Sequence, residues 1–483
     1  MQLSINSENT IEKMEKMEKI YVIGVAGSGM RGISLILSEM GYAVCGSDQK
    51  ITIKMENDLK EIGIKIYQGE DLEILKEMDA VLISSAVKET NLILKKAHEL
   101  GKMILTRHDI WNLWSEKRNI IAVAGCHGKT TTTGMLDSII NPITPGNGAM
   151  IGVPGKRSAI WGLEKDYFIL EADEYAKTFL ALKPKISLIL NIDRDHVDIY
   201  PSDQDYFSAF LKFAENTIIS GGSIVACGDD TNIWKLLKPL QNSGMPIIFY
   251  GFDGRNDYLI NIESGEIGNK FYLKGLMDGD RKGILVTLSV FGNHNILNAA
   301  GAILAGREAG FDIEILSKNM LEFKGMERRQ EFMGNLKISN NLVPVYDDYA
   351  HAPAEVLATI NAFKKQFPDN RLVCYFQPHT YSRITEFWDQ YLIAFENCDV
   401  IGVGDVFGSR ENDLNPKDQF TIQKLLGEIK PSKTIQNQIK IELGGTDVAG
   451  RNILVILKPG DILIALNAGT GREVIQKILS ENV

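Results

Sequence analysis

Cysteine is scarce: Cys45, Cys126, Cys227, Cys374 and Cys398 are spread through 483 residues with no CxxC pair. That spacing excludes a disulfide framework and an ordinary thiolate zinc site, and it leads us to expect a reducing, cytoplasmic setting. Long apolar runs are missing too. Nowhere do about 18 apolar residues follow one another, so no spanning helix and no membrane partner are expected. The opening stretch MQLSINSENTIEKMEKMEKI lacks the apolar centre of a secretory signal. Positive charge is in deficit, with 52 Lys and Arg against 62 Asp and Glu and a formal net charge of −10. Without a basic footprint, nucleic acid is not an expected partner. Residue-level repeats and low-complexity tracts are absent as well.

What remains is a globular chain, 44% hydrophobic and 24% charged, long enough for roughly three domains at about 150 residues each. Residues 19–116 alternate short apolar runs (IYVIGV, YAVCGSD, AVLISSA, KMILTR) with helix-length amphipathic stretches, the pattern of βαβ units. A second start comes at NIIAVAGCHGKTTTTGMLDSII, followed by strands at DYFILEAD, ISLILNID and GGSIVACGDD. A third begins near Phe323, with strands at VPVYDDYA, RLVCYFQP, DVIGVGDVF and DILIALNAG. The expected fold is α/β in three domains: a Rossmann-like domain over residues 1–117, a P-loop ATPase-type domain over 118–322 and a Rossmann-like domain over 323–483.

Two segments are built for phosphate. In the second domain Gly125, Cys126, His127, Gly128, Lys129 and Thr130 join a strand to a helix, so successive backbone N–H groups can close around phosphate oxygens. Lys129 then supplies a point charge and Thr130 a hydroxyl for Mg²⁺, although G-x-x-G-K-T is two residues shorter than the full Walker pattern. Cys126 lies at the helix N-terminus, where the dipole is expected to favour its thiolate. In the first domain Gly27-x-Gly29-x-x-Gly32 follows a strand, and Asp48 stands about 20 residues on, as in dinucleotide sites. A UDP-sugar meets the same description.

Glu171, Asp173 and Glu174 end one strand of the second domain, and Asp193, Asp195, His196 and Asp198 end another. Groups at the C-terminal ends of neighbouring parallel strands converge, so these are expected to face the P-loop and to suit Mg²⁺ with hard oxygen donors. Two other classes are open on residues alone. An NAD-dependent oxidoreductase uses the first glycine motif but leaves the P-loop unexplained. A nucleotide-binding regulator needs neither the acidic cluster nor a third domain.

Taken together, GVAGSGM, AGCHGKTTTTGM, LEADEY, NIDRDHVDIY, GNHNILNAAGAI, MERRQEF, DDYAHAPAEV and FQPHTYSR resemble the Mur ligases of cell-wall peptide synthesis, and the resemblance covers nearly the whole chain. It is greatest to the branch that joins L-alanine to UDP-N-acetylmuramate. Other branches with the same ATP site are ligases of murein-peptide recycling and of archaeal pseudomurein. The resemblance implies ATP and Mg²⁺ as cofactors, a monomer or weak homodimer, and an acyl-phosphate intermediate attacked by the amine.

Site residues carry over position by position. The resemblance gives Gly125 to Thr131 to the ATP phosphates, Lys129 being catalytic, and Thr130, Glu171 and His196 to the metal. His294, Asn295 and Asn298 belong with adenine, while Arg328 and Arg329 reach towards nucleotide phosphate. Gly27, Ser28, Gly29 and Met30, with Asp48, Ser85 and Arg107, belong with the UDP-sugar. Tyr349, His351 and Arg383 lie near acceptor and amino acid, His351 as a base. Phe210 falls where several Mur ligases carry a carbamylated lysine, which the alanine-adding branch lacks. The family usually has THG at Cys126-His127-Gly128, GIGG at Gly24 to Gly27, HHP at His351-Ala352-Pro353 and GAGD at Asn467 to Thr470. Domain closure over the acyl phosphate leads us to expect hinges near residues 117 and 322.

Overall fold

The computed structural model describes residues 7–48, 51, 53–67, 72–152, 159–163, 166–193, 199–262, 270–276, 283–408, 422–429, 431 and 438–481. Three sheets account for its strands. In the first, β1 (Lys19–Ile23), β2 (Ala43–Ser47), β3 (Lys65–Tyr67), β4 (Ala80–Ile83) and β5 (Met103–Leu105) run parallel in the order β3-β2-β1-β4-β5. The order reverses between β1 and β4, so the loops after these two strands flank the crevice where open α/β sheets seat ligands. Tyr21 and Ile23 pack with Val81, Ile93 and Leu94 on one face, while Ile20 and Val22 are equally buried. Both faces are covered, which is why these strands read as continuous apolar runs.

The second sheet comprises β6 (Asn119–Ala124), β7 (Gly148–Met150), β8 (Ala159–Ile160), β9 (Tyr167–Glu171), β10 (Ile186–Ile189), β11 (Ser223–Cys227), β12 (Ile247–Gly251), β13 (Tyr258–Ile262), β14 (Lys270–Gly275) and β15 (Ile284–Thr287). Their order is β15-β14-β13-β12-β11-β10-β6-β9-β7-β8. Strand β6 lies between β9 and β10, parallel to both, so the segments leaving all three strands emerge at one edge.

The third sheet holds β16 (Glu331–Ile338), β17 (Asn341–Asp348), β18 (Leu372–Gln377), β19 (Val400–Gly404), β20 (Ile439–Gly444) and β21 (Ile462–Asn467) in the order β16-β17-β21-β18-β19-β20. It is parallel apart from the β16–β17 hairpin. Along β18 the side chains alternate between two cores. Cys374 and Phe376 join Val356, Ile360 and Phe395, whereas Val373 and Tyr375 join Val343, Ile453 and Ile475.

The backbone divides into two compact units, one of Met1–Asn261, Tyr272–Thr287 and Leu297–Phe323, the other of Ile262–Phe271, Leu288–Ile296 and Lys324–Val483. The first unit therefore contains the first sheet and most of the second. Where a hinge near residue 117 was expected, the structure has a packed aromatic cluster. Trp114 lies 5.0 Å from Trp111, 5.8 Å from Trp161 and 5.2 Å from Phe168. The Arg118 guanidinium stacks on Trp161 at 4.4 Å and donates to the carbonyls of Trp161 and Gly162. No described helix is long and apolar enough to cross a membrane.

Candidate active site

Strand β6 ends at Ala124, and after four intervening residues the helix Lys129–Ile140 begins. The turn needs left-handed backbone at Gly128, with φ +82°, and a Cβ there would lie 2.8 Å from Asn298 Oδ1. Asn298 is thus packed against the loop. Asn191, just past β10, holds the loop through two bonds: it accepts from His127 N at 2.8 Å and donates to His127 O at 2.9 Å. The first helical turn buries Thr130, Thr131, Thr132 and Thr133. Thr132 and Thr133 donate to the carbonyls of Gly128 and Lys129. Thr130 instead donates to Glu171 Oε1 across 3.0 Å.

Glu171, the last residue of β9, also accepts from Gly152 N at 2.7 Å, and burial raises its carboxyl above the usual range. Glu174 is 1% exposed and pairs with Lys129 at 2.7 Å. Burial works against the Lys129 charge, but Glu174 and Asp173 outweigh it and lift its pKa above normal. Lys129 Nζ also donates to Gly125 O at 2.6 Å. The expected convergence on the P-loop is therefore present for Glu171 and Glu174. Asp195, His196 and Asp198 lie outside the described residues. Among those described, no group of three or more His, Cys, Asp and Glu side chains could hold a metal. A hydroxyl and a half-buried carboxylate at a helix N-terminus nevertheless suit Mg²⁺, which takes few protein ligands and hard oxygen donors.

Cys126 differs from the sequence expectation. Its thiol lies 2.6 Å from the carbonyl of Asp193 and 2.9 Å from the Tyr206 hydroxyl, and burial, then the Glu174 charge, drive its pKa well up. Desolvation overrides the helix dipole here. Asn191 and Tyr206 are the residues whose positions at this loop sequence reasoning did not assign. Asn191 follows the apolar run ISLIL, which was the available signal. Phe210 is fully buried between Phe179 and Tyr206, with ring centroids 5.3 and 5.2 Å away.

In the first sheet, Gly27 caps the helix Ser28–Glu39, which contains Gly29 and the buried Met30. Asp48 accepts from Ala26 N at 3.1 Å and so braces the glycine turn. Arg107 crosses the start of this helix so closely that a Cβ on Gly29 would collide with its guanidinium. Its Nε is buried without a hydrogen-bond partner among the described residues, and burial lowers its pKa. An orphaned guanidinium N–H over a helix N-terminus is an arrangement that a diphosphate would satisfy. A cavity of about 230 Å³ opens beside it, lined by Ser84, Ser85, Thr106, Arg107, His108 and Thr178.

The second unit gathers its own polar cluster at the ends of β17 and β18. His351 Nδ1 lies 2.9 Å from the Tyr349 carbonyl, to which it donates, and 3.3 Å from the Glu355 carboxylate. The His351 ring meets His379 edge-on at 5.1 Å, and Arg383 reaches His379 Nδ1 at 3.1 Å. Between them Thr380 has φ +59°, a strained conformation of the kind that collects at functional sites. Arg328 and Arg329 stack on the Tyr349 ring at 4.8 and 4.9 Å. His294 and Asn295 both meet Gln330, each at 3.3 Å.

Residues 19–114 match the Mur ligase family, catalytic domain, and residues 123–306 match the Mur ligase middle domain. The UDP-N-acetylmuramate--L-alanine ligase of Ruthia magnifica subsp. Calyptogena magnifica is 34% identical over 452 residues, 91% of this chain and 94% of that protein. Its counterpart in Roseiflexus sp. (strain RS-1) is 32% identical over 476 residues, covering 94% and 97%. The solved UDP-N-acetylmuramate-alanine ligase from Thermotoga maritima superposes with a TM-score of 0.74 at 22% identity, covering 96% of this chain and 99% of that one. At that identity the likeness speaks for the fold.

Proposed function

Because the chain belongs to the Mur ligase family, we propose that it is an ATP-dependent ligase joining L-alanine to the carboxylate of UDP-N-acetylmuramate for peptidoglycan precursors. We assign residues 1–117 to UDP-sugar binding, 118–322 to ATP and 323–483 to the amino acid, and place the protein in the cytoplasm. The observation that carries this reading is the pairing of Thr130 with Glu171 and of Lys129 with Glu174 where β6 and β9 end.

A carboxylate and an amine do not condense in water, so the carboxylate must first gain a leaving group. A carboxylate oxygen attacks the γ-phosphorus, the bond to the β-phosphate oxygen breaks, and ADP departs. Lys129 and the loop amides steady the charge spread over the transferring group. Thr130 and Glu171, with His196, would hold Mg²⁺, which neutralises phosphate charge when bound. The amine of alanine then attacks the acyl carbon. Loss of its proton and of inorganic phosphate leaves the amide. His351, whose Nδ1 donates to the Tyr349 carbonyl, would take that proton at Nε2 when its ring is neutral. The Arg107 guanidinium and the Gly27 turn anchor the diphosphate, far from the carboxylate that reacts.

The test is ADP release with ATP, Mg²⁺ and L-alanine, using UDP-N-acetylmuramate or the free sugar acid. Remote binding energy should position the carboxylate, so the free acid should be about a hundredfold poorer in kcat/KM, or roughly 2.7 kcal/mol of transition-state binding. Equal rates would remove the UDP site from the first domain. Turnover only with another UDP-uronic acid would reassign the substrate.

A further inference from the structure

The Lys129 ammonium has three protons, and the protein supplies three acceptors for them. Gly125 O and Cys126 O belong to the phosphate loop itself, at 2.6 and 3.4 Å, and the third is Glu174 Oε2 at 2.7 Å. The carboxylate is the one acceptor in this set that comes from outside the loop. It is also the one whose distance from β6 is set by a different strand, since Glu174 follows β9 by three residues.

Glu174 is itself held firmly. The Tyr200 hydroxyl donates to its backbone carbonyl at 2.7 Å, and Tyr206, packed edge-on against Tyr200 at 4.8 Å, reaches its Oε1 at 3.5 Å. The next turn of chain is unusual. Ala176 and Lys177 both adopt left-handed backbone, with φ +54° and +60°, although neither is glycine. Consecutive strained residues persist where the surroundings over-determine them, and here only Tyr175 separates them from Glu174, which turns its carboxylate inward. A carboxylate beside a phosphate site repels the ligand that the site must bind. Its near-complete burial against the phosphate-binding lysine therefore calls for a role in aiming that lysine.

We infer that Glu174 is a positioning residue for the phosphoryl-transfer step, fixing the Lys129 ammonium within the Gly125–Thr130 loop; this rests on the phosphate-loop reading above. Because it repels ground-state phosphate while orienting the lysine for the transition state, its removal should lower kcat and leave ATP binding unharmed. A glutamine keeps the acceptor that Lys129 needs, whereas alanine abolishes it and aspartate withdraws it by one methylene.

The experiment measures kcat and KM for ATP, with thermal midpoints, for Glu174→Ala, Glu174→Gln and Glu174→Asp in the full chain, beside Lys129→Ala. Glu174→Ala and Glu174→Asp should lose at least about tenfold in kcat with KM for ATP changed by less than about threefold, and Glu174→Gln should stay within about threefold of the parent. Parental kcat in both the alanine and aspartate variants overturns the inference. So does a glutamine variant as slow as alanine, or a loss that follows the melting temperature across the series. If Lys129→Ala itself turns over normally, the phosphate-loop reading fails instead, which separates the two. Aspartate keeps the charge, so it remains informative where the alanine variant does not fold.

Discussion

The Thr130 hydroxyl donates to the Glu171 carboxylate across 3.0 Å, tying the first turn of the phosphate-loop helix to the end of β9. Burial raises the Glu171 pKa, so its contribution to stability is greatest at low pH and is lost as pH rises through the folded value. Glu171→Gln should therefore melt no lower than the parent at about pH 8, yet need at least about tenfold more Mg²⁺ for half-maximal ADP release. A Mg²⁺ titration that superposes on the parent would remove Glu171 from the metal site.

Lys129→Ala should abolish turnover, and the structure adds a cost to folding. It leaves Glu174, 1% exposed, without its ion-pair partner, at a scale of about 3–5 kcal/mol for breaking a buried pair. The double variant Lys129→Ala with Glu174→Ala should recover much of that stability but no activity. Chemical denaturation of the parent, the single and the double variants reads the coupling.

His294 should make the protein acid-sensitive. Burial, then the Arg329 charge, push its pKa down to about 4, and its ring meets the Gln330 amide at 3.3 Å. A depressed folded pKa means stability that is present above the unfolded value near 6.5 and is lost as pH falls through about 4. In that window His294→Gln should lose stability less steeply than the parent, by up to about 1.4 kcal/mol per pH unit. Parallel curves from denaturation at several pH values would contradict this.

Gly29→Ala places a methyl group where the Arg107 guanidinium lies. The arginine must swing away, so KM for the UDP-linked acid should rise at least about tenfold while KM for ATP stays within about twofold. Equal changes in both constants would point to damage beyond the first sheet.

Cys126 should resist alkylation at neutral pH. Its thiol is engaged by Asp193 and Tyr206 and is held protonated by burial, and the thiolate is the reactive species. Peptide mass mapping after iodoacetamide should find it labelled more slowly than an exposed thiol, and rapid labelling would show an open loop.

The strands of all three sheets that enclose cores on both faces were legible, because burial on two sides leaves continuous apolar runs such as IYVIGV and ISLILNID. β3, β7, β8, β12 to β16 and β20 were not assigned. Several lie towards sheet edges, where one covered face gives a short or mixed pattern. The phosphate loop was readable because its glycines and Lys129 are local in sequence. Asn191 and Tyr206 were not, since what places them beside Cys126 and His127 is strand order, a property of pairing between distant segments. The Cys126 expectation failed for a related reason: a helix dipole is visible in one segment, whereas desolvation depends on which other segments close over the thiol.

The aromatic cluster around Trp114 also gives the protein an optical signature. Three of its five tryptophans, Trp111, Trp114 and Trp161, lie within a few ångströms of one another at the junction of the first two sheets. Trp234 and Trp388 each have a lysine over the ring instead. Indoles this close and this rigid couple electronically, so near-ultraviolet circular dichroism and intrinsic emission are weighted towards that one junction. Its loosening would register in the spectrum of the unlabelled chain.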